Sequence, residues 1–306
     1  MTGSAGFIAR SLIRRLIAEG HFVYGLDIVE TTGFDRNYFR SLVMDITDPR
    51  IADPDWGAVD LLNEVDACFH LAAMANVDEV AVQREKSFQV NVHGTYNIVE
   101  ACRKVNIPLL FASTACTYGL TPQHPSTEDG STVPVDWYGV GKRADEELIK
   151  GLLKKYVIMR YGTTYGANMR PALCTHIFLT HAIQDKPFTI KGDGKQTRNF
   201  IYIDDLIEGQ IKCLDWITRG ASSSQIFNLV GSKAYSIYQL AQICSDIVKG
   251  YNYSLERNNI IYLPERRDDV YKEDISIAKA QRLLGWKPKY SLEEGMRKIY
   301  EEWKYR

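Results

Sequence analysis

Hydrophobic and polar residues show two different periodicities over the first two thirds of the chain. Short, β-rich apolar runs predict strands, and longer segments with helical periodicity separate them. The predicted strands are His21–Leu26, Ser41–Met44, Ala67–Leu71, Leu109–Ser113 and Val157–Tyr161. The predicted helices are Ala5–Glu19, Gln83–Val105 and Gly139–Lys155. Strands that alternate with helices indicate βαβ units and a mostly parallel sheet.

The order of elements becomes irregular after Tyr165. Strands are predicted at Pro187–Ile190 and Asn199–Ile203, and helices near Ile237–Val248 and Leu292–Trp303. We predict an α/β fold in which a Rossmann-type, doubly wound parallel sheet carries a smaller C-terminal α/β substrate lobe. The expected sheet domain covers residues 1–165 and about 198–230, and the expected lobe covers about 166–197 and 231–306.

The chain starts unusually for such a fold, because a glycine-rich segment begins at Thr2. A buried parallel strand normally leads into this type of loop, and its loss would be costly. We therefore expect several residues of the native protein to precede Met1.

Composition narrows the class of protein. The 306 residues include 37 basic and 38 acidic side chains, a net charge of −1 that argues against a generally basic nucleic-acid binder. The sequence contains neither an apolar run long enough for a transmembrane helix nor a signal-peptide pattern. Six scattered cysteines fit a reducing compartment. We expect a cytoplasmic protein with no membrane or nucleic-acid partner.

The opening segment has the pattern of a dinucleotide site. Gly3 and Gly6 allow a tight turn that brings backbone N–H groups to a pyrophosphate, and Phe7 and Ile8 begin the following helix. Asp27 lies 21 residues after Gly6, at the end of the next predicted strand. A carboxylate there accepts hydrogen bonds from ribose hydroxyls and repels a 2′-phosphate, which favours NAD over NADP.

Candidate catalytic residues follow the fourth predicted strand. Tyr138 and Lys142 have a spacing that places phenol and ammonium on one helix face, where the cation is expected to lower the pKa of the phenol. Thr114 ends a strand upstream and could hydrogen-bond the reacting oxygen. Tyr300 and Lys304 share the same spacing, but we interpret them as part of a solvated helix face.

Several motifs together resemble the extended short-chain dehydrogenases/reductases, and within them the NAD-dependent nucleotide-sugar epimerase/dehydratase family. The resemblance runs in family order over nearly the whole chain. It rests on TGSAGFIA, Asp27, HLAA at 70–73, NVHGTYNIVEA at 91–101, STACTYG at 113–119, YGVGK at 138–142, RYGTTYG at 160–166, GDGKQTRNFIYIDD at 192–205 and RRDDV at 266–270.

The resemblance implies a role for each matching residue. Thr114, Tyr138 and Lys142 match the catalytic triad. The further cofactor contacts that it implies are Asp45, Ile46, Leu71, Ala72, Ala73, Asn91 and Tyr161. The implied substrate contacts are Thr114, Cys116, Thr163, Arg198 and Arg266, with Arg267 as an alternative to Arg266. The segments 83–105 and 139–155 match a helix pair that forms a homodimer interface in the family.

The reaction is inferred from residues that the chain lacks. Ala115 and Cys116 occupy positions where family dehydratases and decarboxylases usually carry acids. The simplest remaining chemistry is 4-epimerisation of a nucleotide-diphosphate sugar through a transient 4-keto sugar.

Three alternatives stay open at this stage. The first is a 3,5-epimerisation, and the second is another oxidation or dehydration of a nucleotide sugar; both would use Cys116 as acid/base. The third is a non-catalytic dinucleotide-binding protein. His70 is expected to pack at a strand end, and His176 and His181 do not share a helix face, so no metal site is predicted.

Overall fold

The computed structural model describes residues 1–53, 58–219, 223–249, 260–266 and 269–304. The strands are β1 (Val23–Asp27), β2 (Phe39–Val43), β3 (Cys68–His70), β4 (Leu109–Thr114), β5 (Tyr156–Tyr161), β6 (Thr163–Tyr165), β7 (Phe188–Lys191), β8 (Thr197–Arg198), β9 (Phe200–Tyr202), β10 (Gln225–Leu229), β11 (Tyr235–Ser236) and β12 (Ile260–Leu263). The α-helices are α1 (Phe7–Ala18), α2 (Ala58–Asn63), α3 (Val77–Val82), α4 (Arg84–Phe88), α5 (Gly94–Val105), α6 (Trp137–Leu152), α7 (Cys174–Ile183), α8 (Ile203–Arg219), α9 (Ile237–Lys249), α10 (Ala278–Leu284) and α11 (Leu292–Lys304). A π-helical turn, Gln89–His93, joins α4 to α5, and 3₁₀ turns lie at Pro49–Ala52 and Ala115–Thr117.

A parallel sheet forms the centre of the molecule. Its order is β2-β1, then Thr2, then β3-β4-β5-β10, with Thr2 bridged in parallel to both Leu26 and His70. The side chains of β4 and β5 alternate between two cores: Leu110 and Met159 face one, and Phe111 and Ile158 face the other. Because both faces are buried, these strands have the continuous apolar sequences from which they were predicted.

Helices cover both faces of this sheet. Helices α1 and α8 pack with Leu110 and Met159 in the first core, whereas α5 and α6 pack with Phe111 and Ile158 in the second. The predicted Rossmann-type, doubly wound α/β architecture is therefore confirmed.

The N-terminal residues lie where the sheet would otherwise divide. The amide of Leu26 donates to Met1 O at 2.8 Å, and the amide of Thr2 donates to Phe69 O at 2.9 Å. Below this bridge, a cavity of about 350 Å³ separates β1 from β3, with Val23 and Phe69 among its lining residues. Met1 and Thr2 thus join β1 to β3 next to the glycine loop, and the amino group of Met1 also donates to Tyr24 O at 2.7 Å.

The helices differ from the predictions in two ways. The single helix expected over Gln83–Val105 is interrupted by the π turn, which keeps Ser87, Asn91 and Gly94 on one buried face and so leaves little trace in the periodicity. Helices α2, α3, α7, α8 and α10 were not predicted; among them, α8 begins directly after β9 with no intervening turn residues to mark its start.

The C-terminal elements form a smaller layer beside the carboxyl end of the sheet. Strands β7 and β12 pair in parallel, β8 and β11 pair antiparallel, and β6 pairs with β9. Helices α7, α9 and α11 pack on these strands, and the buried Trp286 donates its indole N–H to Asp205 O at 3.0 Å. The lobe faces the site described below through Arg198 and the loop that contains Arg266.

Candidate active site

The glycine loop approaches the end of β3 more closely than a side chain would allow. Gly3 has φ +68°, and a Cβ there would lie 2.7 Å from the amide nitrogen of Ala72 and 2.9 Å from the carbonyl carbon of Leu71. Gly6 precedes α1 and offers no side chain to the N–H groups of its first turn, where Phe7 and Ile8 lie. These features fit a bound pyrophosphate, which needs close backbone approach and a helix N-terminus.

Asp27 holds this loop from the end of β1. Its Oδ2 accepts the amide of Ala5 at 3.0 Å, and its Oδ1 accepts that of Val29 at 3.4 Å. The carboxylate thus lies beside the loop at the carboxyl edge of the sheet, as the sequence predicts for a ribose-binding acid.

The residues that follow β2 form the adenine side of the predicted site. Asp45 Oδ1 accepts the amide of Thr47 at 2.9 Å, which fixes a turn. Ile46 is buried, and its carbonyl accepts the side-chain amide of Asn97 at 2.9 Å. Its side chain also lies where Gly94 leaves space, since a Cβ on Gly94 would approach it to 2.7 Å.

The loop after β3 is held by the π turn. Asn91, at the centre of that turn, accepts the amide of Met74 at 2.7 Å and donates to Met74 O at 3.0 Å. Its side-chain amide therefore holds the segment that follows Leu71, Ala72 and Ala73, which borders the cleft. Asn91, which the resemblance implies contacts the cofactor directly, also shapes this loop in the structure.

Thr114 and Cys116 lie at the carboxyl end of β4. Thr114 Oγ1 accepts the amide of Cys116 at 3.2 Å and begins the short 3₁₀ turn. Accepting this bond leaves the hydroxyl proton of Thr114 available to a second partner. Tyr161, the register partner of Thr114 on β5, is buried and accepts the side-chain amide of Gln210 at 2.6 Å.

Tyr138 is set in place by the start of α6. Asp136 caps the helix by accepting the amide of Gly139 at 2.7 Å. Gly139 lies so close to the 3₁₀ turn that a Cβ would approach the carbonyl oxygen of Cys116 to 2.7 Å. The first turn of α6, and Tyr138 with it, is thereby held against the residues that follow Thr114.

Lys142 is one turn further along the same helix face. It is only 1% exposed, and its Nζ lies 4.4 Å from the centre of the Phe111 ring. Burial lowers the pKa of Lys142, while the carboxylates of Asp145 and Glu146 raise it. The structure therefore brings together the three predicted catalytic residues at one edge of the sheet.

The pKa of the Tyr138 phenol is raised in this structure and not lowered as expected. Burial raises the pKa of Tyr138 above its usual value, Cys116 and Asp136 add to the rise, and Arg170 opposes it. The net shift is upward, so the prediction of a phenol already activated by the lysine does not hold for the protein alone. The physical reason is that the cost of burying a phenolate exceeds the attraction of the nearby cation.

The Cys116 thiol is also shifted away from reactivity. Burial, with the carboxylate of Asp136, raises the pKa of Cys116 to about 12. A thiol in this state is mostly protonated at neutral pH and is a poor base.

Two predicted phosphate-binding arginines lie in the C-terminal lobe, and each already contacts an acid. Arg198 donates to Val270 O at 2.7 Å and forms an ion pair with Asp269. Arg266 forms an ion pair with Asp78 at the start of α3, on the opposite side of the cleft. Arg267 lies outside the described residues.

Thr163 and the histidines complete the set of predicted positions. Thr163 begins β6, half-buried, and its amide donates to Asn199 O at 3.0 Å. His70 is fully buried between the hydroxyls of Thr2 and Thr95, at 2.6 and 2.9 Å, which agrees with a packing role. Burial lowers the pKa of His70 to about 3.

The sequence did not point to Asp78, Asp269 or Asp145 as parts of the site. Asp269 stands inside a motif that the resemblance already marked, so its proximity to an arginine was the available signal. Asp78 is 188 residues from Arg266, and no local pattern connects them.

Among the described residues, no group of His, Cys, Asp and Glu side chains is arranged to hold a metal ion. No helix within the described ranges is both long and apolar enough to cross a membrane.

Comparisons with known proteins agree with this geometry. The model of the family described as NAD dependent epimerase/dehydratase matches residues 1–229. UDP-glucuronic acid decarboxylase 2 of Arabidopsis thaliana is 30% identical, over 100% of this chain and 68% of its own length. A putative UDP-glucose 4-epimerase of Methanocaldococcus jannaschii is 31% identical, over 98% of this chain and 96% of its own.

Solved structures are similar over almost the whole chain. A UDP-glucuronic acid 4-epimerase from Bacillus cereus, in complex with UDP-glucuronic acid and NAD, superposes with a TM-score of 0.85 at 28% identity and covers 99% of this chain and 98% of its own. A UDP-glucose 4-epimerase from Thermotoga maritima with UDP-glucose superposes with a TM-score of 0.86 at 25% identity, covering 99% of this chain and 97% of its own.

Proposed function

The chain belongs to the NAD-dependent epimerase/dehydratase family, and we propose that it is a 4-epimerase of a nucleotide-diphosphate sugar. Membership confirms NAD as the cofactor predicted from Gly3, Gly6 and Asp27. The family includes several reactions, and a single observation on this chain supports 4-epimerisation among them.

That observation is the chemical character of position 116. Cys116 follows Thr114 by two residues, where acid-bearing relatives would place a carboxylate, and burial raises the pKa of its thiol to about 12. A protonated thiol neither removes a carbon-bound proton nor protonates a leaving group readily at neutral pH. The chemistry left to the site is oxidation and re-reduction at one carbon.

The proposed reaction uses three side chains around one sugar carbon. Tyr138 removes the proton of the 4-hydroxyl and later returns it, and Thr114 donates a hydrogen bond to the same oxygen. When bound, NAD would supply hydride transfer at C4, and its positive ring would favour the phenolate. Lys142 adds a second positive charge on the same helix face as Tyr138.

Inversion requires that the oxidised sugar turn over before it is reduced again. Arg198 and Arg266 border the cleft from the C-terminal lobe, and guanidinium groups suit the oxygens of a diphosphate. We propose that these arginines hold the diphosphate while the 4-keto sugar rotates about its link to the phosphate. The hydride then returns to the other face of the sugar.

A second reaction remains a candidate because of the relatives. The Arabidopsis thaliana decarboxylase matches the full length of this chain. A decarboxylation, or a 3,5-epimerisation with Cys116 as acid/base, would share Tyr138 and Lys142 but would exchange a carbon-bound proton with solvent. A non-catalytic dinucleotide-binding protein would not need this intact triad.

We also propose that the protein forms a homodimer through the elements around α6. Trp137 and Val140 on this helix are 51% and 46% exposed, and Phe88 and Tyr96 on α4 and α5 are 55% and 43% exposed. Such neighbouring exposed apolar side chains are typical of an interface. Light scattering should give twice the chain mass, with a monomer for Val140→Glu and a dimer for the matched Val43→Glu on β2.

Product NMR on a panel of nucleotide-diphosphate hexoses and hexuronates in deuterated water tests the proposed reaction. One arm receives no added NAD. We expect interconversion of a pair of 4-epimers without net NADH and without deuterium on carbon. Deuterium at C3 or C5, loss of the carboxylate of a hexuronate, or stoichiometric NADH would contradict it.

A further inference from the structure

Asp145 is a buried carboxylate that none of the roles described above explains. It lies on α6, three residues after Lys142, and is 0% exposed. Neither of its oxygens has a hydrogen-bond partner among the described residues. Buried carboxylates are normally paired or hydrogen-bonded, because an isolated one costs several kcal/mol of folding free energy. An exception beside the candidate active site therefore needs a reason.

The charges buried around α6 supply one. Four charged side chains lie here with exposures of 0–2%: Lys142, Asp145, Glu146 and Arg160. Glu146 and Arg160 satisfy each other with two hydrogen bonds, Nε–Oε1 at 2.9 Å and Nη2–Oε2 at 2.7 Å. Ser113 Oγ also donates to Glu146, at 2.6 Å. This leaves Lys142 and Asp145 as one cation and one anion on neighbouring positions of the same helix face.

The other titratable groups near this pair come from several elements. His70 on β3 is within electrostatic range of Lys142 and is neutral, since its pKa is about 3. Tyr138 on α6 is influenced by Asp145 itself, by Cys116 after β4 and by Arg170 from the C-terminal lobe. Asp136, at the start of α6, also acts on Tyr138, but its carboxylate is already engaged in capping the helix.

We propose that Asp145 is a positioning residue that acts through Lys142, as the buried counter-charge that keeps this lysine protonated. The inference rests on the proposed function, because it concerns the charge state of a residue in the proposed triad. Because the carboxylate has no hydrogen-bond partner among the described residues, it acts on Lys142 through space. Glu146 also raises the pKa of Lys142, but less than Asp145 does, and its carboxylate is paired with Arg160.

Removal of this negative charge should shift the pKa of Lys142 in one direction, downwards. Asp145→Asn leaves Lys142 as an uncompensated buried cation, so its pKa falls and it loses its proton at lower pH. We expect the alkaline limb of the kcat–pH profile to move by about one pH unit towards acid. Asp145 has a pKa raised to about 7 by burial, so the variant and the wild type should converge below pH 6, where both side chains are uncharged.

The control is Glu147→Gln, which removes a negative charge from the same helix at a position where the side chain is 56% exposed. Its alkaline limb should coincide with that of the wild type, because solvent screens the lost charge. An Asp145→Asn profile that also coincides with the wild type would overturn the proposal.

A second measurement, thermal unfolding at pH 8, does not depend on the reaction. Lys142→Met and Asp145→Asn should each lower the Tm by several degrees. The double variant should lose much less Tm than the sum of the two single losses, because it leaves neither charge buried without its partner. Additive losses would overturn the pairing even if the profile moved. Absence of turnover by the wild type on the whole sugar panel would count against the proposed function, whereas the Tm cycle would still decide the role of Asp145.

Discussion

Gly139 lies against the backbone carbonyl of Cys116, and a Cβ on Gly139 would come within 2.7 Å of that oxygen. This contact joins the first turn of α6 to the end of β4. It therefore sets the distance between Tyr138 on the helix and Thr114 on the strand, the two groups proposed to share one sugar oxygen.

The first prediction follows from this contact. Gly139→Ala must push the start of α6 away from the turn, so Tyr138 moves relative to Thr114. We expect kcat to fall at least about 10-fold, because small misplacements of reacting groups are costly. The free energy of unfolding should fall by about 1–3 kcal/mol from the overpacking.

Gly151 provides the matched control on the same helix. A Cβ there meets nothing within 4 Å. Gly151→Ala should keep kcat and stabilise the protein by up to about 1 kcal/mol, since alanine favours helices. Equal effects of the two substitutions on turnover would show that the contact with Cys116 does not position Tyr138.

The sequence predicted the sheet for a physical reason that β4 and β5 illustrate. Both strands are buried on both faces, so their apolar runs are continuous and short enough to separate from the helices. Gly3 and Asp27 were predicted from the glycine pattern, the spacing of Asp27 from Gly6 and the βαβ order together, all of which lie within one short stretch of sequence. Helical spacing likewise placed Tyr138 and Lys142 on one face.

What the sequence did not predict depends on contacts between distant segments. The pairing of Arg266 with Asp78 crosses the cleft between two lobes, and no local pattern carries that information. The raised pKa of Tyr138 arises from burial by surrounding elements, which outweighs the local Y-x-x-x-K signal. Asp145 falls on a helical face that periodicity marks as buried, and an acid there was simply an exception to the pattern.

The second prediction concerns the proposed base. Tyr138→Phe should lower kcat by about 10²–10⁴-fold, because it removes the only hydroxyl proposed to exchange a proton with the sugar. Affinity for NAD, measured by titration calorimetry, should change little. Tyr300→Phe removes the phenol of the second Y-x-x-x-K spacing and should leave turnover intact. Epimerisation at the wild-type rate by Tyr138→Phe would refute the assignment.

The third prediction concerns the reactivity of Cys116. Because burial raises the pKa of its thiol to about 12, the thiolate fraction stays very small through pH 9. Alkylation by iodoacetamide, followed by mass spectrometry of the Cys116 peptide, should therefore be slow and should accelerate only at strongly alkaline pH. Cys116→Ala should retain turnover within about 3-fold, as expected for a packing residue. A loss of 100-fold or more would establish Cys116 as a working acid/base and favour the alternative reactions.

The fourth prediction concerns the cofactor cradle. Gly3→Ala places a methyl group 2.7 Å from the amide of Ala72 and forces alanine into φ +68°. NAD should bind at least about 10-fold more weakly, because the loop must move away from the end of β3. Gly20→Ala carries a similar backbone strain at φ +86° but meets nothing within 4 Å. It should lower stability without changing NAD affinity, and equal losses of affinity would show that the close approach of Gly3 to Ala72 does not shape the NAD site.

The last prediction separates the two partners of the ion pair across the cleft. Asp78, whose side chain is 61% exposed, contacts Arg266 and also lies 3.7 Å from Lys191. If the diphosphate is held by Arg266, it must displace this carboxylate. Asp78→Asn should then lower KM by up to about 5-fold at unchanged kcat, because an exposed ion pair is worth at most about 1 kcal/mol. Arg266→Met should raise KM by about 10-fold or more, since a charge-assisted phosphate contact is lost. Asp129→Asn, which removes a 91% exposed acid outside the cleft, should leave KM unchanged. A higher KM in Asp78→Asn would mean instead that the pair with Arg266 helps to form the binding site and that substrate does not replace it.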